Sequence, residues 1–146
     1  TQNGTSWSFT CQHGVNECVG NMIEACAINM YDWYTKALPF IICIEANPNN
    51  WSARYSKTKC SGQKCSTELG LNWTDINACA NGPKGIQYLY EMGKKTQALN
   101  PPHQYVPWVV ANGGHSSKDE SAIESNMVQW ICANYKGTTK IAACGK

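Results

Sequence analysis

Nine cysteines in a chain of 146 residues are the feature that most restricts how this sequence can fold. A chain of this length forms about one domain, and so many cysteines are typical of proteins that fold where disulfides persist. Three N-x-S/T sequons, which mark glycosylation sites of exported proteins, begin at Asn3, Asn50 and Asn72. The sequence therefore predicts a secreted or lysosomal glycoprotein, in which these asparagines are exposed and at least two carry glycans.

Charge and hydropathy exclude two other classes of protein. The formal net charge is +2 and 15% of the residues are charged, against about 25% in an average soluble protein. The longest basic run is Lys94-Lys95, so no nucleic-acid-binding patch is predicted. The apolar segment 37–46 is too short for a membrane span and contains a carboxylate. Without an initiator methionine or a signal peptide, the chain is expected to be a processed or truncated product.

Hydrophobic periodicity predicts a mostly helical chain with a few short strands. Trp7 and Phe9 alternate with polar residues, which predicts a half-buried strand at residues 6–10. The apolar run before Asn112-Gly113 predicts a buried strand, with residues 108–111 inside it, that enters a hairpin. The predicted helices cover residues 18–34, 36–46, part of 51–71, a segment capped by Asn72, 86–99 and 121–135. The last helix is expected to bury Ile123, Met127, Trp130, Ile131 and Cys132.

Two or three short strands make a poor sheet by themselves, so another chain is expected to complete this one. The hairpin at residues 105–115 and the strand at residues 6–10 would otherwise leave backbone groups unpaired at an edge. The apolar row Val106, Trp108 and Val110 would be exposed there as well. The fold class is α+β.

The segment CQHGVNECVGNMIEAC, residues 11–26, admits three interpretations. Cys11, His13, Cys18 and Cys26 could be zinc ligands, but structural zinc sites favour C-x2-4-C pairs, which are absent here. Cys11 with His13 could form a nucleophile–base pair. Disulfide bonds are the third interpretation and the one we favour.

The same preference holds for the rest of the cysteines. Cys60 and Cys65 are separated by four residues and not by the two of a thioredoxin-type redox pair. His103 and His115 are expected to be surface or loop histidines and not catalytic bases, and no metal or cofactor is predicted. An odd number of cysteines favours a covalent partner, with Cys60 as the candidate for the link. The disulfide candidates are Cys11, Cys18, Cys26, Cys43, Cys60, Cys65, Cys79, Cys132 and Cys144.

Two motifs carry a family resemblance. Residues 11–26 fit the pattern C-Q-H-G-x2-E-C-x2-N-x4-C of the gamma-interferon-inducible lysosomal thiol reductase family at every fixed position. PPHQYVPWVVANG, residues 101–113, resembles the family segment P-P-H-x-Y-V-P-W-V-x-x-N-G. The resemblance extends over essentially the whole chain, although residues 51–71 align poorly.

The resemblance implies a thioredoxin-like enzyme with a large, disulfide-stapled helical insertion that reduces protein disulfides in endosomes and lysosomes. Residues 1–146 would be a single domain of an incomplete thioredoxin-like fold, with the insertion at residues 11–100 and a hairpin–helix part at residues 101–146. The family's catalytic C-x-x-C lies upstream of the first motif, and these 146 residues contain no C-x-x-C. The chain alone is therefore expected to have no catalytic residue and no reductase activity.

The resemblance also assigns a role to Val106 and Pro107. Pro107 would follow a cis peptide bond and, with Val106, would face the redox pair and bind an extended substrate. Two functional classes follow. The chain is either the large part of a thiol reductase, acting on disulfide-bonded proteins, or a non-catalytic secreted protein with a binding or assembly role. The expected partner is an excised catalytic segment or a neighbouring subunit that completes the sheet.

Overall fold

The computed structural model describes residues 2–3, 6–46 and 61–145. They form two compact units, residues 1–94 and 95–146. The domain division expected from the sequence stays a prediction. The strands are β1 (Gln2–Asn3) and β2 (Ser6–Trp7). The helices are α1 (Val15–Met30), α2 (Leu38–Glu45), α3 (Ser61–Leu69), α4 (Trp73–Ala80), α5 (Pro83–Gln97) and α6 (Ser117–Asn134), with a π-helical turn at Trp33–Ala37 and a 3-10 turn at Ala142–Cys144.

Helix α1 begins and ends a few residues earlier than predicted. Gly14 precedes it with φ 91°, a left-handed backbone conformation that glycine adopts without a steric penalty. The helix ends at Met30 because Asp32 caps the next turn, its Oδ1 accepting the Thr35 N–H at 2.9 Å. Such a cap requires a non-helical residue, so the predicted continuation to residue 34 is wrong.

The helices from α2 to α5 agree with the periodicity, although α5 begins at Pro83 and ends at Gln97, before the predicted bounds 86–99. Helix α2 lies within the predicted range 36–46. Asn72 caps α4 as predicted, since its Oδ1 accepts the Asp75 N–H at 3.3 Å. Helix α5 begins at Pro83, a favoured first residue because its missing N–H would have no partner there anyway.

A buried apolar cluster and three disulfides hold the first unit together. Cys26–Cys79 joins α1 to α4, and Cys43–Cys65 joins α2 to α3. Cys11–Cys18 ties the preceding segment to the first turn of α1. Helices α2, α3 and α4 have eight or nine residues each and are too short to be stable alone, so these bonds support them. The cluster consists of Ile23, Cys26, Ala27, Phe40, Ile44, Cys65, Leu71, Ile76 and Ala80.

The first predicted strand is shorter than expected. Only Ser6–Trp7 is paired, antiparallel to Gln2–Asn3. The predicted alternation is present, because Trp7 and Phe9 are half-buried while Ser8 and Thr10 are exposed. The Trp7 ring stacks on Tyr90 of α5 at 3.8 Å between centroids. The segment is thus held against a helix more than by a sheet.

The hairpin turn of the second unit is present, but the strand leading to it is not. Ala111 and Gly114 exchange backbone hydrogen bonds of 2.8 and 3.1 Å. Asn112 and Gly113 between them have φ of 52° and 81°, as a two-residue Asn-Gly turn requires. Residues 108–111 are only half-buried and form this one bridge. The predicted buried strand is wrong. Among the described residues, no strand pairs with residues 108–110, and a strand without a partner is not stable.

Helix α6 buries less apolar surface than predicted. Of the five residues expected to be buried, only Ile123 is, whereas Met127 is 58% exposed. Asn126 leaves the helical conformation and its side chain accepts the Gln129 N–H at 3.0 Å, so it caps a second helical segment. The break interrupts the 3.6-residue periodicity on which the prediction depended.

The mostly helical architecture and the disulfides agree with the prediction. None of the helices that the structure describes is both long enough and apolar enough to cross a membrane.

Candidate functional site: the proline loop

The three cysteines of the first motif are all in disulfides. Cys11 is bonded to Cys18 and Cys26 to Cys79, which supports the disulfide interpretation over zinc or a Cys11–His13 nucleophile. Cys132–Cys144 is the fourth bond. Residues 2–3, 6–46 and 61–145 thus contain no free thiol, and no group of three or more His, Cys, Asp or Glu side chains there could hold a metal ion. Cys60 lies outside the described residues.

The segment that the resemblance assigns to substrate binding lies on the surface of the second unit. We call residues 105–109 the proline loop. Pro107 is exposed and Val106 is 79% exposed. The Val106–Pro107 peptide bond is cis, as expected from the resemblance, and so is Asn100–Pro101. Substrate binding by Val106 and Pro107 stays a prediction.

A buried carboxylate lies beneath this loop. Glu120, in the first turn of α6, is 7% exposed. Its Oε1 accepts the Tyr105 hydroxyl at 2.7 Å, and its Oε2 accepts the Val109 N–H at 2.9 Å. One side chain therefore binds the loop on both sides of Pro107.

His115 completes the cluster. Its ring stacks on Trp108 at 3.6 Å between centroids. Its Nδ1 lies 3.1 Å from the Val109 carbonyl oxygen and 3.6 Å from Glu120 Oε2, with the side chain only 13% exposed. His115 lies in a loop, as expected, but its ring is largely buried, whereas His103 is exposed as predicted. The Asn-Gly turn could have revealed this, because a two-residue turn returns residue 115 to the segment before it.

The electrostatics of the cluster favour an ionised Glu120. The hydrogen bond from Tyr105 and then the one from Val109 lower the pKa of Glu120, and His115 acts in the same direction. The bond to the carboxylate also raises the pKa of Tyr105, with burial adding to it. Trp108 Nε1 is buried and has no hydrogen-bond partner among the residues that the structure describes.

Asp119 anchors the neighbouring part of α6. It accepts hydrogen bonds from Trp130 Nε1 at 3.0 Å and from the Ser116 hydroxyl at 2.8 Å. These two bonds, the first above all, lower the pKa of Asp119. Sequence reasoning found neither Asp119 nor Glu120. No motif marks a carboxylate such as Glu120, whose partners come from a loop eleven and fifteen residues before it.

Of the three predicted glycosylation sites, only Asn72 has a described side chain. It is exposed, and its Oδ1 accepts the capping hydrogen bond, while glycosylation would use Nδ2. Asn3 lies in β1, where only the backbone is described, and Asn50 lies outside the described residues. Glycosylation of all three stays a prediction.

The geometry defines a class of protein: a helical chain cross-linked by disulfides that presents an anchored proline loop but no free thiol among its described residues.

Comparison with known proteins agrees with the family resemblance of the two motifs. The sequence model of the family described as gamma interferon inducible lysosomal thiol reductase (GILT) matches residues 1–69. The gamma-interferon-inducible lysosomal thiol reductase of Carassius auratus is 35% identical over 146 residues, which cover 97% of this chain and 53% of that protein.

Two further relatives come from distant organisms. The gamma-interferon-responsive lysosomal thiol protein of Arabidopsis thaliana is 36% identical over 92% of this chain and 52% of its own length. The Mus musculus lysosomal thiol reductase is 34% identical over 95% and 51%. This chain belongs to the gamma-interferon-inducible lysosomal thiol reductase family. It spans about half the length of these curated relatives.

Proposed function

We propose that this chain is the substrate-binding part of a thiol:disulfide oxidoreductase of the secretory pathway, acting on proteins that contain disulfides. One observation carries the proposal: the proline loop presents Val106 and Pro107 to solvent, while each of the eight described cysteines is in a disulfide. The names of the relatives supply the reaction class. The three sequons support a secreted or lysosomal location.

The chemistry divides between this chain and a redox dithiol that it does not contain. A thiolate of that dithiol attacks one sulfur of the substrate disulfide, and the other substrate sulfur leaves as a thiol. The second cysteine then attacks the mixed disulfide, so the dithiol is oxidised to a disulfide as the substrate is reduced to two thiols. The role of this chain is to hold the substrate strand at Val106 and Pro107 while these exchanges occur.

The dithiol would belong to a partner segment that completes a thioredoxin-like sheet. Residues 105–110 have no backbone–backbone hydrogen bond within the part of the chain that the structure describes. The buried indole N–H of Trp108 likewise has no acceptor among those residues. Buried donors are normally satisfied, so both features support a partner chain at this edge. Cys60 is our choice for a covalent link, because the eight described cysteines are already paired with one another.

The chain alone is expected to reduce no insulin above the buffer rate, since it has no dithiol to cycle. Fusing the upstream segment of the Carassius auratus relative before Thr1 supplies, by the resemblance, the C-x-x-C and should give turnover. If the unfused chain reduced insulin at the rate of a known thiol reductase, the proposal that the redox dithiol lies outside this chain would be wrong. An inactive fusion that is correctly folded would contradict the proposed function.

The contribution of Val106 is measured in the fusion. Val106→Asp should lower insulin reduction about tenfold, because contact with one valine side chain contributes about 1.5 kcal/mol. Val15→Asp is the matched control, since Val15 is 75% exposed and lies in the first unit. Equal effects of the two substitutions would show that Val106 has no special role.

A second candidate function is a non-catalytic one, in binding or assembly. All the described cysteines are paired, so a form of the protein without a C-x-x-C has no dithiol among them. This favours the non-catalytic role for such a form. Native mass spectrometry of natural material, with and without reductant, separates the two candidates. A complex with a C-x-x-C-containing chain supports the reductase, and assembly with chains that lack this motif supports the non-catalytic role.

A further inference from the structure

We infer that Glu120 is the positioning residue of the proline loop: its carboxylate ties Tyr105 and Val109 to helix α6 and thereby holds Val106 and Pro107 at the surface. That this positioning serves substrate binding rests on the function proposed above. The attachment of the loop to Glu120 does not depend on that function.

The first argument is that side chains, and not a sheet, hold this loop. Among the described residues, no backbone–backbone hydrogen bond involves residues 105–110. The Val109 N–H is instead bound by Glu120 and its carbonyl oxygen lies 3.1 Å from His115 Nδ1. A loop without ladder hydrogen bonds is free to adopt many conformations, so these contacts determine which one it keeps.

The second argument is the geometry of the carboxylate. Each oxygen of Glu120 accepts one donor, Tyr105 on one side of Pro107 and Val109 on the other. Two hydrogen bonds to a charged acceptor at 2.7 and 2.9 Å are each stronger than bonds between neutral groups. A residue that binds both sides of a loop restricts its conformation more than one that binds a single side.

The third argument is that the position tolerates a buried charge. Glu120 lies in the first turn of α6, where the partial positive charge of the helix N-terminus stabilises an anion. His115, 3.6 Å away, adds attraction whenever it is protonated. Both oxygens of Glu120 are occupied, which suits an anchor better than a group that exchanges protons with substrate.

Two variants of Glu120 separate its acceptor role from its volume. Glu120→Met keeps the length and the helix propensity but removes both acceptors. Glu120→Gln keeps an acceptor for the Val109 N–H, and its amide can donate to Tyr105, whose hydroxyl both donates and accepts. Glu124→Met, on the exposed part of the same helix, is the control.

Hydrogen exchange of the Val109 amide in the 146-residue chain tests the anchor without any enzyme assay. We expect exchange about tenfold faster in Glu120→Met, as for loss of a hydrogen bond to a charged group. Glu120→Gln should be intermediate, and Glu124→Met should stay within about twofold of the natural chain. Unchanged Val109 exchange in Glu120→Met would overturn the inference, and so would an equal rise along the whole of α6.

Tyr105→Phe probes the other side of the loop and replaces Glu120→Met if that variant fails to fold. It removes one donor and no charge, so the Val106 amide should become more mobile in 15N relaxation while α6 is unaffected. Unchanged Val106 relaxation would contradict the anchoring of the loop at Tyr105.

The fusion described above tests whether positioning matters for substrates. Glu120→Met should slow insulin reduction about tenfold, mostly by raising KM. The rate with a small aromatic disulfide, which needs no extended binding surface, should change by less than about twofold. Equal losses on both substrates would indicate a merely structural role and overturn the positioning of substrate. If the fusion is inactive the proposed function fails, while Val109 exchange still decides whether Glu120 anchors the loop.

Discussion

The two units of this chain are stabilised by different kinds of interaction. The first has a cluster of nine buried residues crossed by two disulfides, with a third at its edge. The second has one disulfide, and its buried residues are Ile123 and the charged Glu120. Apolar burial and covalent links therefore dominate the first unit, whereas directional polar contacts dominate the second. The two units should accordingly respond to different perturbations.

The largest effect is expected on removing the Cys26–Cys79 bond, which spans 53 residues inside the core of the first unit. Replacing both cysteines with alanine should cost about 4 kcal/mol from lost loop closure alone, enough to unfold the unit at 37 °C. Thermal unfolding followed by far-UV circular dichroism measures this.

The matched control removes Cys132–Cys144, which spans 12 residues in the second unit. The same chain-entropy argument gives about 3 kcal/mol, and the first unit should keep its helical signal. If this control unfolds the first unit as well, the two units are not stabilised separately.

A smaller effect is expected when acid destabilises the second unit. It is measured as the difference in the free energy of unfolding between the natural chain and Glu120→Gln, followed as the pH is lowered. The pKa of Glu120 is lowered in the folded state, first by Tyr105 and then by Val109. Its contribution is therefore fully present above the pKa of an unfolded glutamate, about 4.3, and is lost as the pH falls through the lower folded value.

Melting temperatures at pH 3 to 7, followed by the amide signals of Trp108 and Val109, test this dependence. The difference between natural chain and variant should stay constant from pH 7 to about 5.5, because Glu120 stays ionised over that range. It should narrow below about 4.3. A difference that instead grows on acidification to pH 3 would contradict an ionised Glu120.

The smallest expected effect is at Asn72, which is both a predicted glycosylation site and the cap of α4. Asn72→Ala removes the sequon and the cap, and should cost about 1 kcal/mol. Thr74→Ala removes the sequon alone and keeps the cap. Intact mass of material from a glycosylating host should fall equally in both variants, and melting should differ between them. No mass change in Thr74→Ala would mean that Asn72 carries no glycan.

The sequence predicted the first unit better than the second, for a physical reason. Helix α2 and the cap at Asn72 in the first unit follow from local preferences that few neighbours can override, and so does the Asn112-Gly113 turn in the second. The strand predicted at residues 108–111 and the burial of Met127 depended on a partner surface. A pattern of apolar residues indicates that a face could be buried, but it does not supply the element that buries it.

The sequence by itself determined the family, through the resemblance of two motifs, and it determined the mostly helical character and the preference for disulfides over zinc, which follow from periodicity, composition and cysteine spacing. Only the tertiary structure decided which cysteines pair and that His115 stacks on Trp108. It alone also identified Glu120 as the residue bound to both sides of Pro107. These are contacts between residues 7 to 53 positions apart, and their energy depends on distances that no local pattern encodes.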